Sequence, residues 1–316
     1  MSAPGRLDRD ARVYVAGHRG LVGSAVVRHL RDEGFNDVVG RSSTELDLRE
    51  RDAVFALLEE VRPSVLILAA ARVGGILANS TYPAEFLSDN LRIQVNVLDA
   101  ARAIGVSRLL FLGSSCIYPR LAPQPIHEDS LLTGALEPTN DAYAIAKIAG
   151  IMHVQALRRE YGLHYISAMP TNLYGPNDNF DENTSHVLPA MIRRFAAARA
   201  SGASRVTIWG SGAPLREFMH VDDVARACLF LLENYDDAQT INVGTGFEVS
   251  IRELAAIVAD TVGFTGELDF DHTKPDGTPR KLLDVSRLSA LGWTARIGLE
   301  KGIEDTYAWY RANVAS

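Results

Sequence analysis

Between residues 12 and 170 short apolar runs alternate with longer segments of mixed polarity, and the spacing predicts alternating strands and helices. Residues 12–16 read as a buried strand, followed by glycines and a helical pattern to residue 33. A second strand is expected near 37–40, and a helical pattern over 50–61 is stopped by Pro63. Residues 65–71 are the longest strongly apolar run and read as a strand buried on both faces. A long helix over 83–104 leads to a strand at 108–113, a helix over 143–161 is ended by Gly162, and a strand follows at 165–169. Alternation of this kind predicts an α/β fold, a Rossmann-type doubly wound parallel sheet.

Beyond residue 170 that period breaks. Residues 170–180 are a polar, Pro-rich turn cluster, followed by His186, a helix to about 200, a strand at 206–210 and a further segment at 214–218. His220, Asp222 and Asp223 invite a metal reading, but acidic capping of a helix over 224–233 explains them better, and no metal is expected. Residues 241–244 read as a strand returning to the sheet. Ser250 begins a capped helix to 262, and a charged loop from Lys274 precedes a final helix over 299–313.

The chain has 316 residues, 47% hydrophobic and 22% charged, which is enough for one large or two interleaved globular units. A net charge of -7 argues against a nucleic-acid or membrane-surface partner while leaving room for a local basic pocket. Two cysteines, Cys116 and Cys228, make no disulfide framework, and the first ten residues lack the apolar core of a signal peptide. No apolar run approaches the roughly 20 residues that span a bilayer. A cytoplasmic protein is expected, with Cys228 in the core.

Several residues along this frame carry candidate chemistry. Gly17, Gly20 and Gly23 lie between the first strand and its helix, where glycines permit a tight turn and close backbone approach and the helix N-terminus receives a pyrophosphate; a turn without a ligand is the alternative. The second strand leads into Gly40, Arg41, Ser42 and Ser43, with no acid for a ribose hydroxyl. Arg41, helped by Arg19, suits a 2'-phosphate and favours NADPH, unless Arg41 is a solvated strand-end residue. Asp47 and Leu48 could contact the adenine, or Asp47 could cap a helix. Ser114 and Cys116 share one face if extended geometry continues past Gly113, which puts a hydroxyl and a thiol in one crevice; separately they are an ordinary strand-end Ser and a buried Cys. Tyr143 and Lys147, four apart on a helix, can project into the same cleft, where the cation is expected to lower the phenol pKa. Further on, Trp209 could stack on a ring or be structural, and Arg216 could clamp a phosphate.

With Gly17, Gly20, Gly23, Ser114, Tyr143 and Lys147 in this order, the chain resembles the extended short-chain dehydrogenase/reductase family. The segments 17–20, 73–76, 113–119, 143–147, 170–176, 185–187, 214–218 and 275–281 resemble, within it, the bifunctional epimerase/reductases acting on GDP-4-keto-6-deoxy-D-mannose. The resemblance implies that Ser114, Tyr143 and Lys147 carry the reduction, and Cys116 and His186 the epimerisations. It implies NADPH contacts from Gly17, Arg19, Gly20, Leu21, Val22, Gly23, Arg41, Asp47, Leu48, Ala70, Tyr143, Lys147, Pro170, Asn172, Leu173 and His186. A GDP-sugar substrate would meet Ser114, Ser115, Cys116, Asn172, Arg194, Trp209, Arg216 and Lys281. It also implies an NADP-binding domain of 1–172 plus about 218–246 and a smaller C-terminal α/β substrate domain of about 173–217 plus 247–316. A homodimer packed through the helices near 83–104 and 143–161 is implied as well. An NAD-dependent nucleotide-sugar 4-epimerase or 4,6-dehydratase shares the glycines, Tyr143 and Lys147; Cys116, His186 and the missing acid after the second strand favour the reductase. A non-enzymatic NADPH sensor of the same fold has no need of the Ser114, Tyr143 and Lys147 set.

Overall fold

The computed structural model describes residues 4–182, 184–274 and 276–315, with the side chain of Ile76 outside that description. Pro275, part of the tail segment quoted above, and Met1 to Ala3 of the leader reading lie outside the described residues. In chain order, β1 Val13–Ala16, α1 Leu21–Asp32, β2 Val38–Val39, α2 Arg51–Val61 and β3 Val65–Leu68 come first. Then follow α3 Ile76–Thr81, α4 Pro83–Ile104, β4 Arg108–Leu112, α5 Asp141–Tyr161 and β5 His164–Pro170. The chain leaves the sheet for β6 Asn172–Tyr174, α6 Val187–Ser201, β7 Arg205–Trp209, β8 Leu215–Arg216 and β9 Phe218–His220, and returns with α7 Val221–Asn234 and β10 Ile241–Val243. It ends with β11 Val249–Ser250, α8 Ile251–Val262, β12 Glu267–Asp271, β13 Arg280–Lys281, α9 Ser286–Ala290 and α10 Leu299–Asn313.

The main sheet has six parallel strands in the order β10-β5-β4-β3-β1-β2. Its apolar runs are continuous because both faces are covered. Val13, Val15, Val65, Ile67, Leu110 and Leu112 point to the α1 and α7 side, and Tyr14, Ala16, Leu66, Leu68, Leu109 and Phe111 to the α2, α4 and α5 side. The chain reverses its direction of strand addition between β1 and β3, so a crevice opens at their carboxyl ends. On the second face Gln94 of α4 donates to the Ala146 carbonyl at 2.5 Å, and a Cβ on Gly150 would run into Gln94 and Phe111. This close approach fixes α5, and with it Tyr143, against the sheet.

A third apolar cluster is separate from those two. It joins Phe195 of α6, Val206 and Ile208 of β7, Leu254 and Val258 of α8, and Ile303 and Tyr310 of α10. Leu288 and Trp293, late in the chain, pack instead with the α1 and α7 side of the sheet.

The turn cluster expected at 170–180 contains a strand: Asn172–Tyr174 pairs in parallel with Phe218–His220. The helix expected at 224–233 begins at Val221, capped by the His220 ring, whose Nδ1 accepts from Asp222 N at 3.3 Å. Asp223 is fully buried, pairs with Arg226, and accepts from the backbone amides of Arg296 and Ile297, each at 2.8 Å. The expected Ser250 cap is a full capping box with Glu253. β12, β13 and α9 carry too little periodicity to be read from sequence; β12 is held by β7 and β13 by β8. Among the described residues no helix is long and apolar enough to cross a membrane, and no group of three or more His, Cys, Asp or Glu is placed to hold a metal ion.

Candidate active site

The turn after β1 needs glycine for two distinct steric reasons. Gly17 has a left-handed φ of 87°, and a Cβ on it would lie 2.8 Å from the Ala70 amide nitrogen at the end of β3. A Cβ on Gly23 would collide with the Gly17 carbonyl. Gly20 donates to that carbonyl at 3.0 Å. α1 then begins with no side-chain cap and no acid in its first turn, so the amides of Leu21, Val22 and Gly23 have no capping partner at the helix's positive end. The Gly17 to Gly23 turn and Ala70 thus form one backbone cradle at the switch point.

At the edge of this cradle burial lowers the pKa of His18 and the Arg19 charge adds to it, Glu45 and a backbone bond with Arg41 oppose it, and the Arg41 charge lowers it least, so both guanidiniums lie within electrostatic reach of His18. Arg41 donates to the Gly40 carbonyl at 3.2 Å. An acid does occur beyond β2: Glu45 accepts from the amide and hydroxyl of Ser42 at 2.7 and 2.6 Å, and these bonds hold its carboxyl below the usual range. The acid-free reading of this turn is corrected by that one residue, whose carboxylate is already engaged. Asp47 is not a helix cap; it accepts from the Arg49 amide at 2.9 Å and pairs with its guanidinium at 2.7 Å, while Glu50 occupies the cap position of α2. Leu48 packs at the margin of the second core cluster.

β4 stays extended only through Ser114, after which Ser115–Ile117 is a single 3-10 turn. Strand alternation therefore does not bring Ser114 and Cys116 together, as the sequence suggests. The turn does so, with the Cys116 amide donating to Ser114 Oγ at 3.3 Å. Ser115 is buried beneath it. Tyr143 and Lys147 are both buried on one side of α5, and the Ser114 hydroxyl is near enough to Tyr143 to act on its phenol. Lys147 donates to the Leu112 carbonyl at 2.7 Å and lies 5.9 Å from the centre of the Tyr143 ring. The expected lowering of the phenol pKa is overturned. Burial pushes the Tyr143 phenol up, the neighbouring Cys116 adds to this, and the Ser114 hydroxyl opposes it; burial also pulls Lys147 down to about 7. Desolvation outweighs a cation that is itself close to neutral, and Tyr143 is held as a proton donor.

Cys116 Sγ accepts from Asn140 Nδ2 at 3.4 Å and from Lys281 Nζ at 3.6 Å, and it packs against Ala78, Phe86 and Tyr143. Asn140 is not among the residues singled out from sequence. Its only signal is its position just before the helix that carries Tyr143. His186 is the N-cap of α6, two residues after Thr184, whose carbonyl accepts from the Gly75 amide at 3.0 Å; Gly74 in that loop adjoins Ala78 and Phe86. His186 is exposed by area, yet enough protein surrounds its ring that desolvation lowers its pKa toward the neutral imidazole.

Pro170, at the end of β5, pairs with Val243, and Leu173 packs beside the first core cluster. Asn172 Nδ2 donates to the Glu217 carbonyl at 2.7 Å. The Glu217 carboxylate, fully buried, accepts from the amides of Thr245, Gly246 and Leu283 at 2.6, 2.8 and 3.1 Å. One side chain absent from the sequence reading thus joins three segments around the site. Arg216 and Lys281 are register partners in the β8 and β13 pair. Arg216 is half-buried; burial lowers its pKa, and Asp276 and Glu137 oppose that. Trp209 is 60% exposed with Lys274 over its ring, which excludes a core role for the indole. Arg194 reaches the same exposed strand, donating to the Thr207 carbonyl at 2.9 Å. Neither touches the Cys116 cluster directly. Cys228 is buried in α7, its thiol pushed up to about 12 by burial, as a core residue should be.

Comparison with known proteins follows the same geometry. The model of the NAD dependent epimerase/dehydratase family matches residues 13–244. The chain is 57% identical over 309 residues to GDP-L-fucose synthase 1 of Arabidopsis thaliana, spanning 98% of this chain and 96% of the relative. It is 52% identical over 311 residues to the GDP-L-fucose synthase of Escherichia coli K12, spanning 96% and 97%. Among solved structures, a GDP-L-fucose synthetase from Naegleria fowleri bound to NADP superposes with a TM-score of 0.92 at 31% identity, over 100% of this chain and 97% of that one.

Proposed function

The chain belongs to the NAD dependent epimerase/dehydratase family, and on that premise we propose that it converts GDP-4-keto-6-deoxy-D-mannose to GDP-L-fucose, by epimerisation at C3 and C5 and NADPH-dependent reduction at C4. The observation that carries this reading is the thiol of Cys116 set against the Ser114 and Tyr143 pair, because a simple ketone reductase has no use for it.

The residues present fit NADPH. Gly17 and Gly23 leave the space a Cβ would fill, the first amides of α1 have no capping side chain, and Arg19 and Arg41 form a cationic edge suited to a 2'-phosphate. When bound, NADPH supplies the hydride for C4. Ser114 and Tyr143 hold the C4 oxygen through their hydroxyls, and the protonated Tyr143 gives that oxygen its proton. C3 and C5 both flank C4, so loss of either proton gives an enolate stabilised by the same two hydroxyls. Cys116 is the base in this reading, and the neutral His186 serves the opposite face. Lys147 ties α5 to the end of β4 and sustains Tyr143. Arg216 faces the nucleotide diphosphate, its register partner Lys281 reaches Cys116 instead, and Trp209 with Arg194 take the base on the exposed face of β7.

The expected domain division is supported by a third apolar cluster beneath β7, α6, α8 and α10, apart from the two on the faces of the main sheet, although Leu283 packs with the sheet. Leu288 and Trp293 place part of the last segment against the first unit. A homodimer through α4 and α5 is supported by the exposed Tyr82 before α4, Val95 on it, and Ile145, Met152 and Tyr161 on α5. A reducing cytoplasmic setting suits the two free cysteines.

Incubation with NADPH and GDP-4-keto-6-deoxy-D-mannose should consume one equivalent of NADPH and give the 6-deoxy-L-galactose product. In heavy water without NADPH, the parent protein should wash deuterium into C3 and C5 and Cys116→Ser should not. Recycling of the cofactor with no net consumption would instead mark a 4-epimerase or a 4,6-dehydratase.

A further inference from the structure

We propose that Lys281, with Asn140, is the positioning residue that holds the Cys116 sulfur and balances its charge when it acts as the base, so that the tail of the chain prepares the site for epimerisation. This deepens the function proposed above and rests on it for the identity of the substrate.

The geometry is specific. Sulfur receives two donors, the Asn140 amide at 3.4 Å and the Lys281 ammonium at 3.6 Å. Nearby cations have carboxylate partners: Arg280 pairs with Glu248 at 2.7 Å, and Arg216 feels Asp276 and Glu137. Among the described residues Lys281 pairs with no carboxylate, and the sulfur is what its ammonium meets. Among the described residues, the side chains that touch the thiol bring no carboxylate to compete for the ammonium. α5 presents Tyr143 and Asn140, the turn after β4 presents Ser114, and α3 and α4 present Ala78 and Phe86, with Lys147 behind the Tyr143 ring. Such a setting screens an ion pair less than water does.

A lysine is long and flexible, so its backbone must be fixed for it to hold one partner. Here the flanking residues are fixed on both sides. Arg280 O accepts from Gln124 Nε2 at 3.2 Å and Leu282 N donates to Gln124 Oε1 at 2.9 Å. Leu283 N donates to the buried Glu217 at 3.1 Å, and β13 lies in register on β8. The same tail segment that presents Lys281 is thereby locked to the returning strand's loop through Glu217.

The chemistry explains the need. A free thiol is only a few per cent ionised at pH 7, and the ionised form is the base. A fixed ammonium enlarges that fraction. In the transfer, the thiolate takes the proton from C3 or C5, and the electron pair of the broken C–H bond moves toward C4. The C4 oxygen becomes the enolate oxygen held by Ser114 and Tyr143. Negative charge passes from sulfur to oxygen, sulfur ends as a thiol, and the Lys281 ammonium keeps its protons throughout.

The test is alkylation of the full chain by iodoacetamide from pH 5.5 to 10, read at Cys116 by mass spectrometry, with buried Cys228 as an internal contrast. Lys281→Met should alkylate about three- to tenfold more slowly at pH 7, with its rate curve moved to higher pH, and Lys281→Arg should retain most of the parent rate. In heavy water, deuterium exchange into the sugar should lose about tenfold in kcat for Lys281→Met at pH 7, with the pH profile of exchange moved upward in parallel with that of alkylation, and Lys281→Arg should restore most of it. An alkylation curve identical to the parent's, with KM raised equally for exchange and reduction, would make Lys281 a substrate contact only and overturn the proposal. Lys281→Gln, read in the same way, covers a Lys281→Met that melts below the parent. If alkylation responds as expected but the parent exchanges no deuterium with this sugar, the pairing stands and the proposed substrate falls.

Discussion

The cradle between β1 and β3 takes its shape from backbone, whereas the crevice around Cys116 takes its shape from side chains delivered by separate elements. In the cradle a strand, a turn and a helix follow one another, and what matters is the absence of Cβ atoms at Gly17 and Gly23. In the crevice Lys281 meets a sulfur 165 positions away, and what matters is which functional group arrives. The first region should tolerate changes of side-chain chemistry but not of backbone bulk. The second should behave the other way round.

The largest effect should come from breaking the cradle. Gly23→Ala puts a methyl into the Gly17 carbonyl, so NADPH affinity should fall roughly a thousandfold, about 4 kcal/mol, as read by fluorescence titration. Binding within tenfold of the parent would mean that the turn can rebuild and that the cradle is not set by backbone contact.

Tyr143→Phe tests the opposite property in the crevice. It keeps the ring against Phe86 and Ala78 and removes one proton, so reduction should fall about a hundredfold or more while NADPH binding holds. Oxidation of NADPH near the parent rate would remove Tyr143 from the chemistry.

Arg41→Ala probes the one part of the cradle that depends on side-chain charge. Loss of a charge-assisted bond should weaken NADPH by about 1.5 to 3 kcal/mol and leave NADH nearly unchanged. Equal losses for both cofactors would show that Arg41 does not read the 2'-phosphate, and would make the cradle purely a backbone device.

The last effect is on stability rather than on binding or rate and concerns Lys147. Its folded pKa, pulled down to about 7 by burial, lies below the usual lysine value of about 10.4, so between these values the unfolded chain binds more protons. Stability contributed at this site must rise with pH across that window and be lowest below pH 7. Urea unfolding at pH 7.5 and 9.5 should show the parent gaining on Lys147→Met by at most about 1.4 kcal/mol per pH unit. A parent-to-variant difference that does not change with pH would mean that Lys147 stays charged in the fold.

These contrasts track what could be read in advance. The glycine turn, the strand buried on both faces at β3, the long α4, the Gly162 end of α5 and the Ser250 cap are local devices, and each was legible because its cause lies within a few residues. The protonation of Tyr143 was misread because i and i+4 spacing predicts proximity but carries no information on burial, which raises the phenol and lowers its neighbouring amine together. β6 was hidden in a Pro-rich turn cluster because its pairing partner, β9, lies beyond β7 and β8.

By itself the sequence determined the α/β alternation, the cradle and the order of Ser114, Tyr143 and Lys147, since hydrophobic period, glycine sterics and helix spacing all act over short stretches of chain. The tertiary structure decided which donors reach Cys116. Asn140 sits at a helix start with no pattern of its own, Lys281 reaches the sulfur because β13 is in register with β8, and Glu217 binds two distant segments at once. Such contacts depend on strand register and on the desolvation of groups distant in sequence, and neither quantity exists until the chain has packed.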